Sequence, residues 1–199
     1  MKPLNTFVFS ALVAIVVAAP LVANATTSIN LIYDGLAMPN TRAAPTNVTA
    51  FNDWCATGTA CIPTVQQPMY DMATGKLKGT IYVWATVPFN GGTIIPSAFC
   101  FSEFFVVALA EGDLYAHSGP NGTCGATMDP VMKPPKFTDH GAQVVIAGGG
   151  DGVIVGGTRK FQAWTGTFTD RVFVGFGAPT SGVGGIVYYD SLMFSFTGK

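Results

Sequence analysis

The chain has 199 residues and a formal net charge of −1, and 11% of its residues are charged while 49% are hydrophobic. A near-neutral balance without a basic stripe does not suit the neutralisation of phosphates, so we predict that nucleic acid is not a partner. The 24 glycines, together with abundant Thr, Val and Phe, favour a closed or layered β-structure over a helical bundle.

The first 25 residues have the pattern of a cleavable secretory signal peptide. Lys2 precedes an apolar run from Phe7 to Val22, and the run ends in the small-x-small sequence Ala23-Asn24-Ala25. Cleavage after Ala25 would leave a single domain of 174 residues, 26–199, with 9 basic and 11 acidic side chains and no stable membrane span. The alternative is an uncleaved membrane anchor, because the run is close to the length that spans a bilayer.

Strand patterns recur through the rest of the chain, whereas no twelve-residue window keeps a helical period free of Gly or Pro. The predicted strands are Ser28 to Leu36, Lys78 to Val87, Ala98 to Ala110, Leu114 to His117, Gln143 to Ala147, Gly152 to Val155, Trp164 to Phe176 and Gly185 to Phe196. Eight such segments predict a small antiparallel barrel or a sandwich. The exception is the segment of about residues 37–72, which we interpret as a long surface loop.

The cysteines Cys55, Cys61, Cys100 and Cys124 predict two disulfides in an oxidising compartment. Three pairings are possible. We favour Cys55 with Cys61 closing a small loop, and Cys100 with Cys124 across a hairpin that turns at Glu111-Gly112. The spacing is not a zinc pattern, and we expect no metal site.

Two sequons, at Asn47 and Asn121, lie in turn-like surroundings and are candidate glycosylation sites in a eukaryotic host. Neither His117 nor His140 has the local pattern of a catalytic triad, and we interpret both as loop residues. No G-x-S-x-G nucleophile motif occurs.

The glycine-rich run Gly148 to Thr158 resembles a phosphate-binding loop only superficially. A P-loop that begins at Gly152 would need Lys where the chain has Thr158. A dinucleotide fingerprint would need Gly where the chain has Val155. The run therefore predicts tight turns between strands, at positions where only glycine tolerates a positive φ.

Three carboxylates lie within apolar strands: Asp34, Glu103 and Asp190. Since burying a carboxylate is costly, each must face solvent, be paired, or line a polar part of a cavity with a raised pKa. The last predicted strand is apolar on both faces, with Leu192 and Phe194 on one and Met193 on the other. Its outer face could be covered by a homo-oligomer contact or by a loop.

One stretch, VGGTRKFQAWTG from Val155 to Gly166, contains a glycine-glycine-threonine turn. Three further segments, Ile29 to Leu36, Lys76 to Val83 and Val187 to Asp190, lie in a matching order along the chain. The turn, as the most specific part, and the order of these segments resemble the dirigent and allene oxide cyclase type of eight-stranded β-barrel.

This resemblance implies a barrel that encloses an apolar pocket, and it covers nearly the whole chain after the signal peptide. Members of the superfamily either steer the coupling of radicals formed elsewhere or cyclise an unstable lipid-derived epoxide. The chain departs from the dirigent pattern at Lys160 and Thr165, where those proteins place an acid and an arginine.

From these observations we predict a secreted, all-β barrel that binds a small hydrophobic molecule in its lumen and needs no cofactor. The resemblance places Asp34 inside as the polar contact, and the other candidate ligand-binding residues are Tyr82, Glu103, Tyr188 and Asp190. One alternative is a cyclase or isomerase with a carboxylate as acid or base. Another is a structural or adhesive extracellular protein with a packed barrel.

Overall fold

The structure is a computed structural model that describes residues 26–57, 61–86, 98–128, 139, 144–176 and 187–199. The predicted signal peptide lies outside these residues and stays a prediction. Within the described part of the chain, no α-helix is long and apolar enough to cross a membrane.

The strands form one antiparallel sheet that closes on itself. They are β1 (Thr27–Leu36), β2 (Met38–Pro39), β3 (Ile62–Asp71), β4 (Leu77–Thr86), β5 (Ala98–Leu109), β6 (Gly112–Thr127), β7 (Val144–Gly157), β8 (Gly166–Phe176) and β9 (Val187–Gly198). Neighbours pair in the order β1-β9-β8-β7-β6-β5-β4-β3, and Leu31 and Ile32 of β1 also pair with β3. This pairing closes eight strands, and the short β2 adds to β3. The prediction of an eight-stranded antiparallel barrel is confirmed.

The predicted count of eight strands is right, although two of the assignments behind it are wrong. The segments 143–147 and 152–155, predicted as separate strands, belong to the single strand β7. Strand β3 lies inside the segment that was predicted to be a surface loop. The sequence gives little signal for β3, because Pro63 and Pro68 interrupt the strand and the polar Gln67 takes an inward position. The apolar alternation that marks a strand is therefore weak.

The segment between β2 and β3 also contains a seven-residue helix, α1 (Thr49–Cys55). It packs Phe51 and Trp54 onto Trp84 and Phe104, which point outward from β4 and β5. We call this group of side chains the outer cluster. Phe51 lies edge-on to Phe104 with ring centroids 5.1 Å apart, and the Trp54 indole nitrogen donates to the Ser102 hydroxyl at 2.8 Å. Strands β4 and β5 are therefore buried on both faces.

The glycine-rich run is part of a strand rather than a set of turns, so that part of the prediction is wrong. Gly148 and Gly152 are paired residues of β7, and a Cβ atom at Gly152 would collide with the ring of Phe168. The prediction holds for Gly156, whose φ is 111°. Gly157 is needed for a different reason, because a Cβ atom there would collide with the Asp113 carbonyl.

Both favoured disulfide pairings are present, and no cysteine is free. Cys100 and Cys124 are directly opposite each other in the β5–β6 ladder, with Cα atoms 4.0 Å apart. The hairpin turns one residue earlier than predicted, since Leu109 pairs with Gly112. The turn alone would place residue 121 opposite Cys100, and the register shift between Phe101 and Phe104 brings Cys124 there instead.

One end of the barrel, where β7 connects to β8, is filled by aromatic side chains. We call this group the aromatic plug: Phe105, Phe161, Trp164, Phe168, Phe194 and Phe196. Phe161 belongs to a 3-10 helix, Arg159–Phe161, and packs edge-on against Trp164 at a centroid distance of 5.0 Å. The plug therefore closes this end of the barrel.

Strand β9 shows the two faces that its sequence predicts. Leu192 and Phe194 point into the core, whereas Met193 on the outer face is 41% exposed. On β8, Phe173 is also exposed. A homo-oligomer contact on this outer face stays a prediction.

Candidate binding site inside the barrel

The inward face of β8 carries a carboxylate among apolar side chains. Phe168 and Val172 belong to the barrel core, and Asp170 between them is 1% exposed. Asp170 pairs with Gly150 on β7 and with Phe194 on β9. Because strand residues alternate between faces, Asp170 shares the inner face with its apolar neighbours.

The carboxylate of Asp170 is buried without adequate compensation. Neither of its oxygens accepts a hydrogen bond of normal geometry from the described residues. Burial raises the pKa of this carboxyl, and the nearby Gly150 amide counteracts the shift only in part. Arg171 also favours the charged form weakly, but its side chain is exposed and donates at 2.8 Å to the carbonyl of Asp170, not to its carboxylate.

Gly150 explains why Thr123 and Asp170 can meet. Thr123 pairs with Gly150, and Gly150 pairs with Asp170, so the three residues lie side by side on three adjacent strands. Two strand spacings separate the outer pair by about 10 Å, which is too far for short side chains unless nothing stands between them. A glycine in the middle leaves that space clear.

Thr123 connects Asp170 to a second acid, Glu103 of β5. The fully buried Thr123 hydroxyl donates to Glu103 Oε2 at 3.1 Å. The buried Ser118 hydroxyl accepts a hydrogen bond from the backbone N–H of Glu103 at 3.0 Å. Glu103 pairs with Ala85, which is also buried, and its own side chain is half-buried.

These contacts form an interior polar chain of Asp170, Thr123 and Glu103. The single hydrogen of the Thr123 hydroxyl goes to Glu103, so Thr123 can serve Asp170 only as an acceptor. That arrangement suits a protonated Asp170, which has a hydrogen to donate. The hydroxyl of Thr123 thus lies between two carboxyl groups, bonded to Glu103 and adjacent to Asp170.

Asp34 is not inside the barrel, so the prediction that it anchors the pocket is wrong. Leu31 and Tyr33 are the inward residues of β1, and Asp34 is exposed on the outer face opposite Ser191. The sequence shows two alternating faces of β1 but does not indicate which one the barrel encloses. The core contacts of Leu31 and Tyr33 decide this.

Tyr82 also lies outside the lumen. It is half-buried beside the outer cluster, and the guanidinium of Arg42 lies 4.9 Å from its ring centroid. Of the other candidates, Glu103 is on the inner face, whereas the side chains of Tyr188 and Asp190 lie outside the described residues.

The histidines and sequons lie away from the interior chain. His117 is on the outer face, where its ring stacks on Phe104 at 6.4 Å, and His140 lies outside the described residues. Asn47 is exposed in a turn before α1, and the side chain of Asn121 is outside the described part. Among the described residues, no group of three or more His, Cys, Asp or Glu side chains could hold a metal ion.

The sequence analysis missed Asp170, although a signal for it was present. Within the predicted strand, Phe168, Asp170 and Val172 share one face, and the opposite face carries Thr169 and Arg171. An acid on the more apolar face of a strand marks a buried carboxylate. Thr123 gave no such signal, because Pro120 and a break in register separate it from the first half of β6.

No protein-family model matches the chain, and neither does any curated protein or solved structure. The resemblance to dirigent and allene oxide cyclase barrels therefore stays a prediction. Any function must be argued from the chemistry of the barrel itself.

Proposed function

We propose that the protein is a secreted barrel that binds a small, mainly apolar molecule in its lumen, with Asp170 as the polar contact. The observation that carries this proposal is the Asp170 carboxylate, which is buried among core side chains without a normal hydrogen bond from the described residues. Asp170 takes the role that the resemblance gave to Asp34.

A purely structural barrel would gain from a different residue at this position. An uncompensated buried polar group costs about 1–3 kcal/mol and a charged one more, whereas an apolar side chain would extend the core. Phe168 and Phe194 next to Asp170 supply apolar contact. These surroundings suit a ligand with an apolar body and one hydroxyl or carbonyl group. A carboxyl can accept a hydrogen bond from a hydroxyl and, when protonated, can donate one to a carbonyl.

The same residues support guidance of a reaction, including the cyclase or isomerase alternative. A carboxyl whose pKa is raised by burial holds its proton closer to neutral pH, where it can act as a general acid. Glu103, which accepts from the Thr123 hydroxyl beside Asp170, supplies a second carboxylate near the same site. An isomerisation needs one group to give and another to take a proton, so the interior polar chain supports this alternative specifically.

Secretion is supported by two independent features. The N-terminal 25 residues have the signal-peptide pattern. All four cysteines form two disulfides, which persist in oxidising compartments.

The test is to find and measure a lumen ligand. Native mass spectrometry of the secreted protein would detect a molecule that co-purifies, and a panel of phenols and C18 fatty acids would be titrated by tryptophan fluorescence. We expect Asp170→Asn and Asp170→Leu to weaken binding of the same compound at least tenfold. Asp34→Asn, which changes an exposed carboxylate on the outer face, is the matched control and should bind as the parent does.

Three outcomes separate the hypotheses. Conversion of a bound compound that Glu103→Gln abolishes would establish the enzyme alternative. Binding without conversion would support the ligand-binding barrel. If no compound co-purifies or binds, or if both Asp170 variants bind unchanged, the lumen proposal fails and the structural alternative takes its place.

A further inference from the structure

A concave site lies outside the barrel, between α1 and the end of β7. Its volume is about 580 Å³, which is within the range of small-ligand sites. We call it the outer cleft and define it by its polar residues Asn47, Asp53, Tyr115 and Gln162, and by the backbone of Gly156 and Gly157. The outer wall of the barrel separates it from the interior polar chain.

The floor of the outer cleft is apolar and its rim is polar. Val48, Ala50 and Val155 supply the floor, and all three also pack against the outer cluster. At the rim, the amide of Gln162 and the carboxylate of Asp53 are exposed. No hydrogen bond within the described part of the chain engages either of these groups, so both can serve a ligand.

Tyr115 gives the outer cleft an aromatic wall. Its ring is tilted against Phe104 at a centroid distance of 6.4 Å, which fixes its position. Burial, followed by the neighbouring charge of Asp113, raises the pKa of the phenol, so its hydroxyl keeps its hydrogen. That hydroxyl forms no hydrogen bond with the described residues and can donate to a ligand or accept from it.

The charge of the outer cleft narrows the class of ligand. Among the described residues that line it, Asp53 is the one carboxylate and none is Lys or Arg, so the lining offers no cation to pair with an anionic ligand. Carboxylate, amide and phenol groups above an apolar floor instead suit a neutral molecule with many hydroxyls and an apolar ring face. Saccharides have this combination.

We infer that the outer cleft is a binding site for a neutral saccharide. Two sources could supply it. Asn47 lines the cleft and begins the sequon Asn47-Val48-Thr49, so the first sugars of the chain's own N-linked glycan would lie in it. The other source is a free or cell-surface oligosaccharide. The inference is independent of the lumen ligand.

The experiment uses mature protein with both disulfides formed, made once without glycosylation and once in a glycosylating host. Each preparation is titrated with N,N′-diacetylchitobiose, cellobiose, maltose and lactose by saturation-transfer NMR and calorimetry. We expect the unglycosylated protein to bind at least one disaccharide, and Tyr115→Phe and Asp53→Asn each to weaken that binding about fivefold or more. Asp151→Asn, which changes an exposed carboxylate outside the cleft, is the matched control and should not change it. Circular dichroism would verify the fold of each variant.

The two preparations distinguish the sources. If glycosylated Asn47 fills the cleft, the glycosylated protein will no longer bind the disaccharide, and enzymatic removal of the whole glycan will restore binding. If the ligand is external, both preparations will bind. Absence of binding to every sugar in the unglycosylated protein, binding that both cleft variants leave unchanged, or selection of a peptide ligand by the cleft would overturn the inference.

Discussion

Replacing Asp170 by Asn should stabilise the protein at neutral and alkaline pH and change little in acid. The carboxylate is 1% exposed and lacks a normal hydrogen bond from the described residues, so solvent does not screen its cost. The Asn amide is uncharged, keeps the shape of the side chain, and can donate to the Thr123 hydroxyl oxygen. Removing an uncompensated buried charge should raise the free energy of unfolding by about 1–3 kcal/mol.

The dependence on pH follows from the direction of the pKa shift. Burial places the folded-state pKa of Asp170 above its unfolded value of about 3.9. Between these two values the folded chain holds a proton that the unfolded chain has lost, so stability falls as pH rises through that interval and then levels off. The amide in the Asp170→Asn variant cannot ionise, so the advantage of the variant should grow through the same interval.

Urea unfolding followed by tryptophan fluorescence, at pH 3.5 and at pH 8, measures this difference. With a slope of about 2 kcal/mol per molar urea, an increase of about 2 kcal/mol would move the midpoint by roughly 1 M at pH 8. Asp151→Asn on β7 changes an exposed residue and should leave the midpoint unchanged at both pH values. A variant that is less stable than the parent at pH 8, or equally shifted at both pH values, would refute the assignment of Asp170 as an uncompensated buried carboxylate.

Three further predictions concern the N-terminus, a disulfide and a glycine. Mass measurement of the secreted protein should place its N-terminus at Thr26, and retention of the N-terminal 25 residues would contradict cleavage. Replacing Cys100 and Cys124 by Ala should lower the free energy of unfolding by about 3 kcal/mol, because their bridge closes a loop of 24 residues; an unchanged urea midpoint would disagree with this. Gly157→Ala should lower the free energy of unfolding by about 1–3 kcal/mol, because the added Cβ atom would collide with the backbone carbonyl of Asp113. If the variant and the parent have the same melting temperature in a thermal scan, β6 and β7 can move apart without loss of stability.

Local patterns were sufficient for much of the fold. The period-2 alternation and the turn residues of Ala98 to Ala110 predicted β5 to within one residue. The predicted turn placed residue 123 opposite Cys100, one position from Cys124, but the observed turn alone would place residue 121 there. The register shift between Phe101 and Phe104 brings Cys124 into that position. The strand was predictable because its pattern is local, whereas the cysteine register also depends on this irregularity.

Strand β3 shows the limit of such reasoning. Its prolines and the inward Gln67 give it little apolar alternation, so only its partners in the closed sheet make it a strand. The glycine run is a similar case. Gly150 is needed because Thr123 and Asp170 lie across it, a relation that exists only after three strands have paired.

The sequence by itself determined an all-β chain, most of its strands, a favoured cysteine pairing and the acidic residues available to it. It could not decide whether the barrel encloses Asp34. Alternation assigns the residues of β1 to two faces without indicating which face turns inward, whereas the face of β8 that holds Asp170 is the more apolar one in the sequence. The tertiary structure decided which face of each strand is buried. Leu31 and Tyr33 pack in the core next to β9, so Asp34 lies on the outer face. Phe168 and Val172 also pack in the core, so Asp170 between them lies on the inner face.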